Sequence, residues 1–133
     1  MTPRAAAAVL AVALAGTVAA CGGAGSGVTP TGGGSCGPGS AGGNLGSPGA
    51  TINATDELTF TPQNLTASVG QVVRWHNTGR IMHTVTFNSA NASCLTDPSL
   101  NGSSTWDVKF TQPGAYAFHC TIHEQMTGTI TVR

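Results

Sequence analysis

From Thr51 onward, apolar and polar residues alternate with a period of two, the pattern of β-strands buried on one face. Leu58 and Phe60 alternate with polar neighbours. Val73, Trp75 and Asn77 fall on one face of a predicted strand, with Arg74 and His76 on the other. His83, Val85 and Phe87 share a parity, which points His83 to the same side as two apolar residues. Val108 and Phe110 alternate with Asp107 and Lys109. Tyr116, Phe118 and Cys120 share a face, and Ile130 and Val132 close the chain. Turn signals separate the runs at Val69-Gly70, Thr78-Gly79, Asp97-Pro98, Asn101-Gly102, Pro113-Gly114 and Thr127-Gly128. Short strands with turns at this spacing predict an all-β sandwich. No amphipathic helix of useful length is predicted.

Upstream the pattern changes twice. Arg4 followed by the apolar run Ala5 to Ala20 reads as an export signal, and the run is short for a membrane span of about 20 residues. Its end, Val18-Ala19-Ala20-Cys21, resembles the bacterial lipobox, in which the cysteine is lipidated and becomes the new N-terminus. Residues 22–50 hold thirteen Gly, three Pro and no charged residue. So little apolar side chain does not offset the entropy of ordering a chain. The expected division is therefore a lipoprotein signal peptide over 1–20, a lipidated Cys21 with a flexible Gly-rich linker over 21–50, and one domain over 51–133. The linker would span about 30 Å. All seven aromatic residues lie between Phe60 and Phe118, inside that domain.

The 133 residues carry no net formal charge, and 8% are charged, which argues against nucleic acid as a partner. Chemistry concentrates in Cys120-Thr121-Ile122-His123-Glu124-Gln125-Met126, with His83 on an earlier strand. Cysteine, two histidines and a methionine make up the ligand set of a blue-copper site. The thiolate is soft, the imidazoles are borderline, and the thioether is a weak axial donor that favours Cu(I). A Cys with a His three residues on also fits half of a zinc site, but the second Cys or His pair that zinc commonly takes is absent. Of the four cysteines, Cys36 and Cys94 are left either to pair with each other, in an oxidising exported setting, or to stay as thiols.

Residues 52–133 resemble the cupredoxins, and among them the small plastocyanin and amicyanin group. The resemblance is carried by Phe60-Thr61-Pro62, Leu65, Val69-Gly70, Val73-Arg74-Trp75-His76-Asn77, His83-Thr84-Val85, Pro113-Gly114-Ala115-Tyr116 and the Cys120 loop. The short Cys-x2-His-x2-Met loop and the six-residue step from Asn77 to His83 are of the amicyanin form. The resemblance implies a Greek-key β-sandwich with one copper at one end. It implies His83 Nδ1, Cys120 Sγ and His123 Nδ1 as equatorial ligands and Met126 Sδ as the axial one. It further implies that the Thr84 N–H donates to the thiolate and that Asn77 ties down the loop before His83. Two positions depart from the family: Met82 and Ile122 stand where relatives commonly carry proline.

The function this resemblance implies is that of a non-enzymatic type 1 copper carrier, passing single electrons between membrane-associated redox partners. Such a chain is a monomer, exported and held by lipid at the outer face of a bacterial cell membrane or in the periplasm. Two alternatives remain: copper storage or delivery, and a redox subunit of a larger oxidase or reductase. In the family the second ligand histidine reaches the surface through an apolar patch, which assigns Ile81, Met82, Ile122 and Met126 to that end. His119 beside Cys120 suggests a second copper, but strand alternation turns it away from the sulfur and only His76 is left to join it. Glu124 is read as solvent-exposed, and the sequons at Asn53, Asn64, Asn91 and Asn101 as chance in a Ser- and Thr-rich chain.

Overall fold

Over residues 34–133, which the computed structural model describes, the alternating runs become eleven strands in two sheets. The strands are β1 Gly34–Cys36, β2 Gly39–Gly42, β3 Ala50–Ala54, β4 Phe60–Thr61, β5 Asn64–Ala67 and β6 Val72–Asn77. They continue with β7 His83–Phe87, β8 Asp97–Leu100, β9 Thr105–Phe110, β10 Gly114–His119 and β11 Thr127–Val132. One sheet runs β1-β2-β9-β6-β3-β4 and the other β5-β11-β10-β7-β8. Pairing is antiparallel except for β3 with β6 and β5 with β11. This is the all-β sandwich that the alternation predicts. A single turn of 3-10 helix, Ala90–Leu95, interrupts the strands of the described residues. The export signal and Cys21 lie outside those residues.

The core forms where the alternation predicts it. Val73, Trp75 and Asn77 of β6 and His83 and Val85 of β7 are fully buried, as are Phe110 and Ile130. Trp75 meets Phe118 and Phe87 edge-on, with ring centroids 5.2 and 5.9 Å apart, the arrangement the ring quadrupoles favour. Tyr116 keeps its ring inside and donates its hydroxyl to the Gln112 carbonyl at 3.0 Å.

Two expectations need correction. The linker does not extend to residue 50: the folded domain begins by Gly34, because β1 and β2 form a hairpin whose second strand pairs with β9. Backbone bonds and a covalent link hold this segment, so its lack of apolar side chains matters little. Cys36 is joined by a disulfide to Cys94 within the 3-10 helix. Leu45 N–H reaches Asp107, and Gly49 N–H reaches the Val72 carbonyl. Glycine is required at position 39, where a Cβ would strike the Lys109 carbonyl of the facing strand. Second, alternation puts Asp107 with Lys109 on a polar face, yet Asp107 is fully buried while Lys109 is exposed. Arg74 holds the carboxylate with two bonds of 2.7 Å, a fork that matches both oxygens. That contact also raises the pKa of the guanidinium.

Candidate metal centre

Three donors from two segments of the chain converge at one end of the sandwich. His83 opens β7, and Cys120 and His123 lie on the loop between β10 and β11. One ligand atom from each lies within 4.8 Å of the others. Cys120 Sγ is 3.5 Å from His123 Nδ1, and the two imidazoles stand edge-on with centroids 5.1 Å apart. His83 and Cys120 are fully buried, while His123 is half-buried. The centre thus has an inner side and one edge near solvent.

The loop that carries Cys120 closes on itself. Cys120 N–H donates to the Met126 carbonyl and Met126 N–H to the His123 carbonyl, both at 2.9 Å. Met126 is 1% exposed and packs in the same apolar cluster as Cys120. Its neighbour in the expected apolar patch, Ile122, is open to solvent, as are Ile81 and Met82. Met126 therefore leaves that patch. Exposed Leu58 borders the same depression as Met126 and lies on the β3–β4 turn.

His83 is placed by the register of its strand. It pairs with Leu100, but Val85 pairs with Asp97, so β8 carries an extra residue across this step. A bulge of this kind twists a strand and re-aims its side chains. Thr84 N–H then points at the sulfur and donates to Cys120 Sγ at 3.3 Å. The Thr84 hydroxyl accepts the Thr121 N–H at 2.8 Å, which joins β7 to the Cys120 loop a second time.

The five residues before His83 have nearly all their N–H groups engaged. Thr78 N–H reaches the Ala54 carbonyl and Gly79 N–H the Asn77 Oδ1. Arg80 and Ile81 both donate to Asp56 Oδ1, at 2.8 and 3.0 Å. Buried Asn77 spans the loop by donating to the Ile81 and Leu100 carbonyls at 2.7 and 2.9 Å. Asp56 was invisible to motif reading, since its partners lie 24 and 25 residues away. A retrospective signal is Gly79, where a Cβ would collide with the Asp56 carboxylate.

The donor set fits a soft, redox-active ion. Both ring nitrogens of His83 are buried without a hydrogen-bond partner of good geometry, an expensive state unless a cation takes one of them. Burial lowers the pKa of His83, and His123 pushes the same way, against the opposing pull of the Thr55 backbone and Asp56. A neutral imidazole offers the lone pair a metal needs. Thiolate plus two imidazoles, with a thioether close by in the same loop, favours copper over hard cations.

The other candidates stay apart from this cluster. His119 Nδ1 lies 2.7 Å from Asn88 Oδ1, on the strand position before the buried Cys120. His76 sits on β6 in the other sheet, and Glu124 is exposed.

Comparison with known proteins converges on the same group. The model of the cupredoxin-like domain matches residues 40–132. Amicyanin-alpha of Methylorubrum extorquens is 31% identical over 86 residues, covering 63% of this chain and 72% of that protein. Plastocyanin of Scenedesmus fuscus is 33% identical over 86 residues, covering 57% of this chain and 88% of that protein. A reduced amicyanin variant superimposes with a TM-score of 0.58 at 25% identity, over 67% of this chain and 87% of the other.

Proposed function

Because the chain belongs to the cupredoxin-like domain family, we propose that it is a type 1 copper protein that carries single electrons between redox partners. The observation that carries this reading is the convergence of His83, Cys120 and His123. Bound there, copper supplies a Cu(II)/Cu(I) couple. His83, Cys120 and His123 would hold it, and Met126 would serve as a weak further donor. Its own contribution is rigidity. Burial of His83 and Cys120 excludes water, and the Thr84 N–H disperses charge on the thiolate, which tunes the potential. Donors fixed before and after transfer need little rearrangement when the oxidation state changes.

Electrons enter and leave at His123, the one half-buried donor, beside exposed Ile122. Ile81, Met82 and Ile122 are 40%, 44% and 46% exposed, an apolar surface that suits weak, transient docking. Export is supported by the Cys36–Cys94 disulfide, a bond that persists in oxidising compartments. A lipid on Cys21 would hold the domain at the membrane, where its partners would be membrane-associated. Mass spectrometry of the mature N-terminus tests the anchor: a diacylated Cys21 supports it, and an unmodified start elsewhere refutes it. For the centre itself, Cys120→Ser should abolish intense visible absorption while the fold remains, since that colour arises from sulfur-to-Cu(II) charge transfer. Met126→Leu should keep the colour and raise the potential, because losing the thioether destabilises Cu(II) more than Cu(I). A coloured Cys120→Ser protein would remove Cys120 from the ligand set.

A further inference from the structure

The loop before His83 is short of proline, the residue that would fix its backbone, because Met82 is the residue next to the ligand. It is held from the side instead. The turn between β3 and β4 is itself fixed by Thr55 N–H to the Thr59 carbonyl at 3.1 Å and Leu58 N–H to the Thr55 carbonyl at 3.0 Å. That turn presents Asp56, whose Oδ1 accepts both Arg80 and Ile81 N–H. Gly79 brings the loop backbone against the carboxylate, which a Cβ there would displace. On the other side, Asn77 holds the Ile81 carbonyl. The loop is therefore gripped through Ile81 at both its N–H and its carbonyl, two residues from the ligand.

We propose that Asp56 is a positioning residue for the metal centre: its carboxylate clamps the loop that delivers His83, and its negative charge beside the centre favours Cu(II) over Cu(I). Two backbone N–H bonds to one ionised oxygen are stronger than two between neutral groups. They also hold the carboxyl pKa below its ordinary value, the Ile81 bond first and the Arg80 bond second, so the charge is present at neutral pH. Asp56 Oδ1 accepts the N–H of Ile81, two residues before His83, so the carboxylate lies near the ligand. Its negative charge attracts a cation held by His83, and more strongly in the higher oxidation state. The site is exposed, so salt screens this part of the effect; the clamp is geometric and survives salt.

The charge half of this inference rests on the copper reading; the clamp does not. Two variants and two readouts separate them. In copper-free protein, amide hydrogen exchange is measured at Arg80 and Ile81 for wild type, Asp56→Asn and Asp56→Ala. Asp56→Ala should speed exchange at both amides by about tenfold or more, while Asp56→Asn, which keeps an acceptor oxygen, should retain most of the protection. In copper-loaded protein, both variants should show a higher midpoint potential than wild type at low ionic strength, with the difference shrinking as salt is added. Unchanged exchange in Asp56→Ala would overturn the clamp. An unchanged potential in Asp56→Asn would overturn the electrostatic role. A wild type that binds copper without a blue band would instead refute the carrier reading, and the exchange result would still decide the clamp.

Discussion

Asn77 does three things at once: its amide donates to the Ile81 and Leu100 carbonyls, and its oxygen accepts the Gly79 N–H. Asn77 and Leu100 are fully buried, so without the amide the Leu100 carbonyl has no water to turn to, whereas Gly79 and Ile81 lie nearer solvent. Asn77→Ala should therefore cost about 2 kcal/mol of stability, chiefly the one buried carbonyl left unsatisfied, measurable by denaturant unfolding of copper-free protein. A loss under about 0.5 kcal/mol would mean that the loop relaxes and finds other partners. His83 and Cys120 were readable in the sequence as inward-facing because His83 shares the parity of Val85 and Phe87, and Cys120 that of Tyr116 and Phe118. His123 was readable because it lies three residues beyond Cys120 on one loop. Asp56 was not, since nothing local in Ala54-Thr55-Asp56-Glu57 marks it as an acceptor for a loop over twenty residues on.

At the scale of elements, strands defined by alternation emerged near their expected places, because a half-buried surface imposes period two on its own sequence. Strands held by backbone bonds did not: β1 and β2 consist of Gly, Ser, Cys and Ala, and only pairing with β9 reveals them. Asp107 was misread for a related reason, since its partner Arg74 lies on another strand and a single strand's pattern cannot show an ion pair. Strand β8, which sets the register of His83, begins with a second buried carboxylate, Asp97. Burial raises its pKa, and the Ser99 N–H only partly opposes this. A carboxyl raised in the folded state is ionised first in the unfolded one, so stability falls as pH climbs from about 4 through the folded pKa. Asp97→Asn keeps an acceptor for Ser99 and removes the charge. It should be more stable than wild type at pH 7 and equal to it below about pH 3.5, as read by thermal unfolding across pH. A variant less stable than wild type at pH 7 would show that the carboxylate has a favourable partner.

Across the whole molecule, charge is nearly balanced. Residues 51–133 carry four basic and five acidic side chains, too little imbalance for strong long-range steering. The apolar end formed by Ile81, Met82 and Ile122 should then govern recognition. Electron-transfer rates with a partner should change little between low and physiological salt, while Met82→Lys or Ile122→Lys slows them about tenfold. A steep fall with ionic strength, with both substitutions harmless, would place recognition on a charged surface instead. The two sheets, the bulged β8 and the loop before His83 all hold one fixed cluster of His83, Cys120 and His123. The most direct test of that claim is the visible and EPR spectrum of the protein loaded with one Cu(II) per chain. The account predicts an intense blue band from thiolate-to-Cu(II) charge transfer, with the narrow copper hyperfine splitting of a covalent Cu–S bond. A colourless protein with the broad splitting of a tetragonal nitrogen and oxygen site would contradict it.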